Sequence, residues 1–520
     1  MTASRAKTSI SRRRVVTGAA AGAAAVGLTA AVPAAAEAAA ATRTTNSYVA
    51  ADAELHLLRR ATYGPTAASV AEIRRLGAAA WLDRQLDPAG LADPAGDALL
   101  TRFPLIQLSI DELRARVGTG AMRYGWDTML QLGFAATSRA IWSERQLFEM
   151  MVDFWSNHLN VTNPSADVWD NRHDYDRTVI RPYALGRFAD LLKASARHPA
   201  MLTYLDNRFS TKTAPNENYG RELLELHTVG LGYTESDVKN AARLLTGLTV
   251  DWDTGNYKYS ANAHATGPVK VIDFRHANTT AAGGEAAALA LLDYLALHPA
   301  TAEQIATKLC VRFVADNPPA KLVDRLVQVY LDHRSAIAPV LRALFTSAEF
   351  KASVGAKVRT PYEDIVATVR AIGYGPDATG TAGIESLYWL IGSLGQAPMS
   401  WAPPNGYPDV ASAWTSPGGM LARWNAHLHI VAGYRPKEFQ RPADLAKDLV
   451  GALPATYGEL IDALARRLFG RTLPAADTTA LAGYFGKTPA APLKPADSAV
   501  GWRFPQLVAL MLNSPYFAVR

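Results

Sequence analysis

Two glutamates three residues apart make one segment of this 520-residue chain a candidate for acid–base or metal chemistry. The segment, residues 216–230, reads NENYGRELLELHTVG, and its pattern predicts a helix over Asn218–Thr228. Because an α-helix turns by about 100° per residue, Glu222 and Glu225 share one face of it. His227 lies off that face but can turn toward a neighbouring segment. Two carboxylates with a histidine nearby suit general acid–base catalysis or the binding of a hard cation.

Two preceding segments carry polar side chains of the same kinds. One reads MVDFWSNHLN over residues 151–160, and the other runs from His198 to TYLDN at residues 203–207. Consecutive helices usually pack as neighbours, so the sequence predicts one constellation of His158, Asp206, Glu222, Glu225 and His227. The predicted catalytic residues are Glu222, Glu225, His227 and His158, and the predicted binding residues are Asp206, Asn207, Asn218, Arg221 and His198.

A glutamate-rich helix face has a plainer interpretation, which is exposure to water, and single histidines commonly cap helices or lie in cores. The local composition favours a polar cluster instead. Asn, Glu, Arg, His and Thr crowd into the thirteen positions 216–228, which Leu, Tyr and Gly otherwise fill. A buried polar network needs this complement of donors and acceptors. The cluster therefore fits either an active site or a structural network.

The sequence leaves the cofactor open. Glu222 and His227 are five residues apart, not the three of the Glu-x-x-His unit in di-iron bundles, and there is no His-Glu-x-x-His. The single cysteine, Cys310, excludes an intrachain disulfide and a cysteine-built metal site. A divalent cation at the carboxylates is compatible with the pattern, but the metal is not identified. No nucleotide or flavin motif is found, neither GxxxxGK[ST] nor GxGxxG, and there is no GxSxG elbow.

Two loops are weaker candidates for a site. Pro403–Pro408 reads PPNGYP and is followed by Trp414, so it is a rigid aromatic loop that either floors a binding site or caps the core. His264, in HATGP, lies beside a predicted turn. Its imidazole either faces a pocket or belongs to an ordinary loop.

The elements that must position these residues are mostly helices. Capping signals at Thr66, Ser143, Thr234, Thr301 and Thr360 each precede an apolar-periodic segment. Alternating residues with glycine and proline breakers instead predict a β-ribbon near residues 249–274. The predicted fold is therefore mainly α, a single large multi-helical domain over residues 41–520. Its central helices are expected at 143–247 and its C-terminal helical part at 298–520.

The first forty residues have the pattern of an export signal. Residues 11–16 read SRRRVV and precede an Ala- and Gly-rich apolar run, then Pro33 and a tract of small residues. Paired arginines before a weakly hydrophobic run favour a cleaved twin-arginine signal over residues 1–40. The apolar run is short of the ~20 residues that a membrane span needs, and no other segment reads as one. The expected location is secreted or extracytoplasmic, and the twin-arginine translocase is the expected partner during export.

The charge outside this signal gives no reason to expect a polyanionic partner. Residues 1–40 hold five basic residues and one acid, so the rest of the chain is nearly neutral. We therefore expect no nucleic-acid partner.

Several blocks together resemble the bacterial family filed as domain of unknown function 1800. They include HLLRRATYGPT at 56–66, FWSNHLNV at 154–161, NENYGRELLELHTVG at 216–230, HPATAEQIATKL at 298–309 and APPNGYP at 402–408. The resemblance runs from about His56 to Phe517 and implies an exported protein, often encoded near a sulfatase-like exported family. It implies no established activity. Family members often have an acidic residue at Ala265 and a tryptophan after the proline pair, and both are missing here.

Two hypotheses of function follow. The first is an exported enzyme, a hydrolase or lyase acting on an extracellular polymer through the Glu/His cluster. The second is a non-catalytic binding or assembly partner of another exported protein, with the cluster as a buried structural network. A cleft that reaches the cluster would favour the enzyme, and a sealed network would favour the partner.

Overall fold

Helices dominate the computed structural model, which describes residues 48–520. The first half contains α1 (Ala53–Ala61), α2 (Ala67–Leu76), α3 (Ala78–Leu86), α4 (Pro94–Leu100), α5 (Ile110–Gly118), α6 (Trp126–Trp142), α7 (Gln146–His158), α8 (Arg172–Tyr175), α9 (Arg181–Tyr183), α10 (Phe188–Ala196), α11 (Pro199–Tyr204), α12 (Glu217–Glu222) and α13 (Glu235–Leu245). The second half contains α14 (Gly284–Ala296), α15 (Pro299–Phe313), α16 (Ala320–Asp332), α17 (Ile337–Thr346), α18 (Ala348–Ala352), α19 (Pro361–Ile372), α20 (Ala382–Ser393), α21 (Pro417–Val431), α22 (Leu445–Val450), α23 (Tyr457–Phe469), α24 (Ala475–Gly483), α25 (Phe504–Leu512) and α26 (Pro515–Ala518). The mainly α fold class is confirmed, and the export signal predicted at 1–40 lies outside the described residues.

Shorter helical segments of other types connect these helices. The 3₁₀ turns are Pro104–Gln107, Ala166–Val168, Asn207–Phe209, Ala261–Ala263 and Ala411–Ala413. Two segments have the wider π-helical turn, Asp176–Ile180 and Leu223–His227. Such turns are rare and occur frequently at functional sites. The second, Leu223–His227, includes the predicted site residues Glu225 and His227 and directly follows Glu222.

The β-structure is confined to two-stranded antiparallel pairs within the described range. Strands β1 (Leu248–Val250) and β2 (Tyr257–Tyr259) pair with Leu248 opposite Tyr259, and β3 (Val269–Val271) and β4 (Phe274–His276) pair with Val269 opposite His276. These two ribbons confirm the excursion predicted near residues 249–274. A third pair is formed by β5 (Gly375–Asp377) and β6 (Phe439–Gln440).

Local capping chemistry explains where many helices begin. Thr66, Thr234 and Thr360 each accept from the backbone N–H three residues on, and the side chain at that third position returns the contact. These three predicted helix starts are confirmed. Gly373, with φ at 74°, ends α19 in the left-handed conformation that glycine adopts without strain.

Two other predicted capping boxes, at Ser143 and Thr301, are wrong. The Ser143 hydroxyl donates to Asp93, and α7 begins at Gln146 without a side-chain cap. Helix α15 begins at Pro299, where His298 accepts the capping hydrogen bond, and not at Thr301. A short hydroxyl or amide side chain can cap a helix or serve a tertiary contact, and the local sequence does not decide between them.

Helix α7 reaches the hydrophobic core with its last turn. Trp155 is fully buried, stacks on Phe188 with ring centroids 5.4 Å apart, and donates its indole N–H to the carbonyl oxygen of Ala184 at 2.8 Å. A buried indole that keeps its hydrogen bond holds its helix in one orientation. The residues that follow Trp155 on α7 are therefore held at a fixed place in the molecule.

The last residues of the chain lie against the segment that precedes α19. Val519 and Val358 form an antiparallel bridge, and Arg520 N donates to the carbonyl oxygen of Lys357 at 2.8 Å. The Arg520 guanidinium donates to Glu363 at 2.7 Å in a site where both side chains are 2% exposed. The end of the chain therefore holds Lys357 and Glu363 in fixed positions.

Candidate functional site

His158, at the end of α7, takes part in two hydrogen bonds that define its proton position. Its Nε2 lies 3.1 Å from the carbonyl oxygen of His227, which can only accept, so Nε2 carries the proton and donates. Its Nδ1 lies 2.9 Å from the Lys308 ammonium nitrogen and accepts from it. Burial, together with the nearby charge of Lys308, lowers the pKa of His158 far below its ordinary value. His158 is therefore a neutral imidazole with a fixed tautomer.

The π-helical turn at Leu223–His227 supplies the carbonyl that His158 binds. The helical segment ends at His227, so its last carbonyl oxygens have no intrahelical partners. Gln304 on α15 donates to the carbonyl oxygens of Glu225 and Leu226, both at 3.3 Å. Three consecutive carbonyls thus bind side chains of α7 and α15, and this turn links the two helices.

The His227 ring is buried beside the same lysine. Its exposure is 1%, and neither ring nitrogen has a hydrogen-bond partner among residues 48–520. The ring centroid lies 6.4 Å from that of His158. Burial, and then the charge of Lys308, lowers the pKa of His227 to about 3. His227 is therefore neutral across the physiological range.

Lys308 on α15 has an amine without a carboxylate partner in the part of the chain that the structure describes. Its hydrogen-bond partner there is the neutral His158. Burial lowers the pKa of the Lys308 amine to about 8, because a desolvated ammonium with no counter-ion is costly. By contrast Lys357, which is 2% exposed, forms ion pairs with Asp316 and Asp409. Of these two lysines, Lys357 has carboxylate partners, and Lys308 has none within residues 48–520.

Lys308 and His158 line a cavity of about 460 Å³. Its wall combines apolar side chains with a small set of polar groups, which is the usual make-up of a ligand site. The lining residues are Phe154, Asn157, His158, Lys308, Val311, Trp401, Asn405, Gly406, Tyr407, Pro408 and Asp409. The volume lies within the range of about 300–1,000 Å³ that small-molecule sites occupy.

The aromatic loop forms one wall and is held by α7. Asn157 donates to the carbonyl oxygen of Tyr407 at 2.9 Å and accepts from its N–H at 2.6 Å. Asn160 donates to the carbonyl oxygens of Trp401 and Pro403. The segment FWSNHLN thus uses its asparagines to bind the loop and its histidine to bind Lys308.

Close packing of this loop requires a glycine. Gly406 has φ at 73°, and a Cβ built there would overlap the backbone oxygen of Asn157. The rings of Trp401 and Tyr407 lie 5.0 Å apart, centroid to centroid. The loop that the sequence offered as either a site floor or a core cap therefore forms a wall of this cavity.

A buried ionic network lies behind the cavity wall. Arg312 on α15 contacts Asp153 at 3.1 Å, and Asp409 and Glu363 at 3.4 Å each. Burial raises the pKa of Asp153 to about 6 in spite of Arg312. Burial also acts to raise the pKa of Asp409, but Arg312 and Lys357 outweigh it and the net shift is downward. The cation at the centre of the network holds three carboxylates in place.

The predicted carboxylates Glu222 and Glu225 lie near each other on the half-buried face of the same segment. Burial, and then the charge of Glu225, raises the pKa of Glu222. Glu225 accepts from the hydroxyl of Tyr233 at 2.5 Å. Within residues 48–520 neither carboxylate hydrogen-bonds to His158 or His227, and neither is among the residues that line the cavity. The structure thus brings the two histidines together and places the glutamates apart from the cavity wall.

The remaining predicted residues have separate local contacts. Asp206 is exposed with φ at 59°, and Asn207 is buried, where it donates to the carbonyls of Leu245 and Leu248. Asn218 is exposed at the start of α12, and Arg221 forms a two-bonded pair with Glu235 at 2.8 Å. His198 caps α11 and contacts Asp174 at 3.1 Å. These five residues do not line the cavity around Lys308.

Sequence reasoning missed Lys308 and Asn157. Lys308 lies four residues after Gln304 and hence on the same face of α15, but a lysine on an amphipathic helix ordinarily faces water. The signal that could have identified it is this shared face: the glutamine binds the π-helical turn, so the lysine must point the same way. Asn157 had a stronger signal, because it lies directly before His158.

The candidate His264 is a structural residue. Its Nδ1 lies 2.8 Å from the carbonyl oxygen of Thr246, and its Nε2 lies 2.9 Å from the Asn278 side-chain oxygen. Both nitrogens are occupied at a site of 2% exposure. His264 therefore joins the β3–β4 ribbon to the end of α13.

The described residues also bear on metals and membranes. No group of three or more His, Cys, Asp or Glu side chains in residues 48–520 is placed to hold a metal ion. In the same range no helix has both the length and the apolar character required to cross a bilayer.

One comparison with known proteins gives a match. A family model described as "Protein of unknown function (DUF1800)" matches residues 56–519. No curated protein and no solved structure matches the chain. The match begins within α1, extends through α26 and includes every residue that lines the cavity.

Proposed function

Since this chain belongs to the DUF1800 family of proteins of unknown function, we propose its function from the cavity: an exported hydrolase or lyase that acts on an extracellular polymer. Lys308 is its proton-transferring group, and His158 is the residue that positions it. This assignment replaces the carboxylates as the centre of the chemistry and keeps one of the predicted histidines. The twin-arginine pattern in residues 11–16 supports export.

The observation that carries the proposal is an unpaired amine in a ligand-sized cavity. A general base works best when its pKa lies near the working pH, and burial brings the pKa of Lys308 to about 8. Groups with such shifts cluster at functional sites. The neutral His158 adds no charge that would restore the ordinary lysine pKa.

The chemistry needs one proton to leave and one to arrive. In a lyase the base removes a proton from carbon, a C–O bond breaks, and the departing oxygen takes up a proton. In a hydrolase the proton comes from the attacking water. The neutral Lys308 amine accepts the first proton, and the ammonium so formed returns it to the departing oxygen, which balances either reaction.

The wall of the cavity supports a sugar polymer as the substrate. Trp401 and Tyr407 both line the cavity, with their rings tilted at 47° to each other, and flat aromatic surfaces stack on the C–H faces of pyranose rings. The Asn405 oxygen accepts from the Trp401 indole at 2.9 Å, and within residues 48–520 its amide nitrogen has no hydrogen-bond partner, so it can donate to a hydroxyl. Because the cavity is partly open to solvent, a polymer longer than the cavity can extend out of it.

The test is activity of the exported protein against a panel of polysaccharides. New reducing ends without ultraviolet absorbance identify a hydrolase, and an unsaturated absorbing product identifies a lyase. Lys308→Met should abolish turnover, and the matched control Lys270→Met, at an exposed lysine on β3, should leave it unchanged. Full activity of Lys308→Met would overturn the proposal. Binding of a polymer or an exported protein without turnover would favour the non-catalytic partner.

A further inference from the structure

We infer that the Lys308 amine is a nucleophile that forms an imine with the aldehyde or ketone group of a sugar ligand. This inference rests on the proposed function, because it uses the same amine in the same cavity. It goes further in assigning a covalent role and a class of ligand. An open-chain carbonyl is present at the reducing end of a polysaccharide, which gives the ligand class.

The first support is access to the amine. Lys308 lies in the wall of the 460 Å³ cavity with Phe154, Val311 and Trp401 around it. These side chains offer no charge to the ammonium form. The lining carboxylate, Asp409, is paired with Arg312 and Lys357. An amine needs its lone pair to attack carbon, and burial beside apolar side chains favours that neutral form.

The second support is the contrast with Lys357. That lysine is 2% exposed and is held as an ammonium by Asp316 at 2.5 Å. It also donates to the carbonyl oxygen of Asp409 at 2.8 Å. An ammonium fixed by ion pairs is not a nucleophile. Lys308 has the opposite surroundings, since its partner in residues 48–520 is the acceptor nitrogen of a neutral imidazole.

The third support is the direction of the hydrogen bond between Lys308 and His158. Imine formation requires the attacking nitrogen to lose protons while the carbonyl oxygen gains them. His158 Nδ1 lies 2.9 Å from the amine and accepts from it, so it stands where the first proton leaves. Its tautomer is fixed by donation to the His227 carbonyl at 3.1 Å. The acceptor is thus pre-oriented before a ligand enters.

The Lys308 lone pair forms a C–N bond while the carbonyl π pair moves to oxygen. His158 Nδ1 takes a proton from nitrogen and delivers it to that oxygen, which gives a neutral carbinolamine. The C–O bond then breaks, a C=N bond forms, and the second nitrogen proton leaves with the hydroxyl as water. No oxidant or reductant takes part.

The alternative use of the same amine is to bind an anion as an ammonium. A carboxylate or sulfate would then lie against Lys308 without a covalent bond. The two uses differ in one observable, because only an imine is converted by borohydride into a stable secondary amine. The test therefore traps the adduct.

The experiment uses the full chain with glyceraldehyde and cyanoborohydride at pH 7.5, followed by peptide mass mapping of each lysine. Lys308 should be labelled at least about tenfold faster than an exposed lysine such as Lys270, because a lower pKa leaves a larger fraction as free amine. Lys357 should remain unlabelled. Labelling of Lys308 no faster than Lys270 overturns the inference.

Two variants separate this inference from the proposed function. In Lys308→Arg the labelled peptide should disappear while the other lysines keep their rates, which also shows that the fold is intact. If wild-type Lys308 is not labelled but Lys308→Met loses polymer turnover, the imine is refuted and the acid–base role stands. If Lys308 is labelled rapidly but no polymer is turned over, the imine stands and the polymer-processing role is refuted.

Discussion

The Lys308 amine donates to His158 Nδ1 across 2.9 Å, and neither group has a carboxylate partner within residues 48–520. In most lysine–histidine environments of a protein interior a counter-ion would be needed, because a desolvated charge is costly. Here the cost appears as a pKa of about 8 for the lysine and a neutral imidazole. Burial thus makes the Lys308 amine easier to deprotonate near physiological pH, while the His158 imidazole stays neutral.

The first prediction concerns the stability cost of Lys308. Its pKa is lower in the folded chain than in the unfolded chain, so the folded state binds fewer protons between pH 8 and the ordinary lysine pKa. The free energy of unfolding should therefore rise with pH through that window, and the full penalty is present below pH 8. At pH 7 Lys308→Met should be more stable than wild type by about 1–2 kcal/mol. This is less than the free energy equivalent to the whole pKa shift, because the amine is partly exposed.

Urea unfolding of Lys308→Met and wild type at pH 7 and pH 10 measures this difference. The gain should shrink at pH 10, and Lys270→Met, at an exposed position, should show no gain at either pH. A loss of stability in Lys308→Met at pH 7 would show that the ammonium has a favourable partner.

The second prediction tests the contact between the aromatic loop and α7. Gly406→Ala adds a Cβ that overlaps the backbone oxygen of Asn157, at a φ of 73°. It should destabilise the fold by about 1–3 kcal/mol and weaken ligand binding in the cavity. Gly380→Ala is the matched control, since φ there is 74° but no atom lies within 4 Å of the added carbon.

Thermal unfolding of both variants separates overlap from backbone strain. The difference between them is the part caused by Asn157. Equal losses in the two proteins would mean that the loop can move away from α7 and that the cavity wall is not fixed.

How far the sequence alone predicted the site depends on which contacts are local. The caps at Thr66, Thr234 and Thr360 involve residues three apart, and all three predictions are confirmed. Ser143 was expected to cap but binds Asp93, fifty residues away. A local pattern cannot show that a distant carboxylate will compete for the same hydroxyl.

Because a local pattern does not reveal distant partners, the sequence pointed to the carboxylates as the reacting groups, whereas the structure points to a lysine. His158 and His227 were expected to lie together, and they are in contact. Lys308 reaches them from a helix that begins seventy residues after His227, and its sequence neighbours are those of an ordinary amphipathic helix. Only the packing of α15 against the π-helical turn makes that lysine different from an exposed one.

The third prediction revises the expected role of Glu222. Burial and the charge of Glu225 raise its pKa in the folded chain. A carboxyl group with a higher pKa in the folded chain stabilises the fold while it is protonated, at pH values below its pKa in the unfolded chain. That stabilisation is lost as the pH rises through its pKa in the folded chain. Glu222→Gln should therefore be more stable than wild type at pH 7, by about 0.5 kcal/mol for a half-exposed group, and no more stable at pH 3.

The matched comparison is Glu235→Gln, because Arg221 lowers the pKa of Glu235. Glu235→Gln should therefore be less stable than wild type at pH 7, which is the opposite of the change expected for Glu222→Gln. Denaturant unfolding at both pH values checks the pair. A large loss in Glu222→Gln at pH 7 would instead indicate a buried partner that needs the charge.

The fourth prediction concerns export. Arg12→Lys together with Arg13→Lys should block secretion, because the twin-arginine route recognises the arginine pair and not the charge alone. The secreted wild-type protein should begin between about Glu37 and Thr42, as read by amino-terminal sequencing. Normal secretion of the double variant would show that another route carries the protein.

The fifth prediction separates positioning from packing at His158. His158→Phe keeps an aromatic ring against Phe188, whose centroid lies 5.8 Å from the imidazole, but it removes the acceptor for Lys308. Turnover should fall by about 10²-fold, the order expected when a reacting group is held out of position, with KM little changed. The pH at which activity rises should move, because the hydrogen bond that orients the amine is gone. His158→Gln restores an acceptor and should recover part of the rate. If both variants lose activity equally and unfold at a lower temperature, His158 serves packing alone and the Lys308–His158 pair is not the reacting centre.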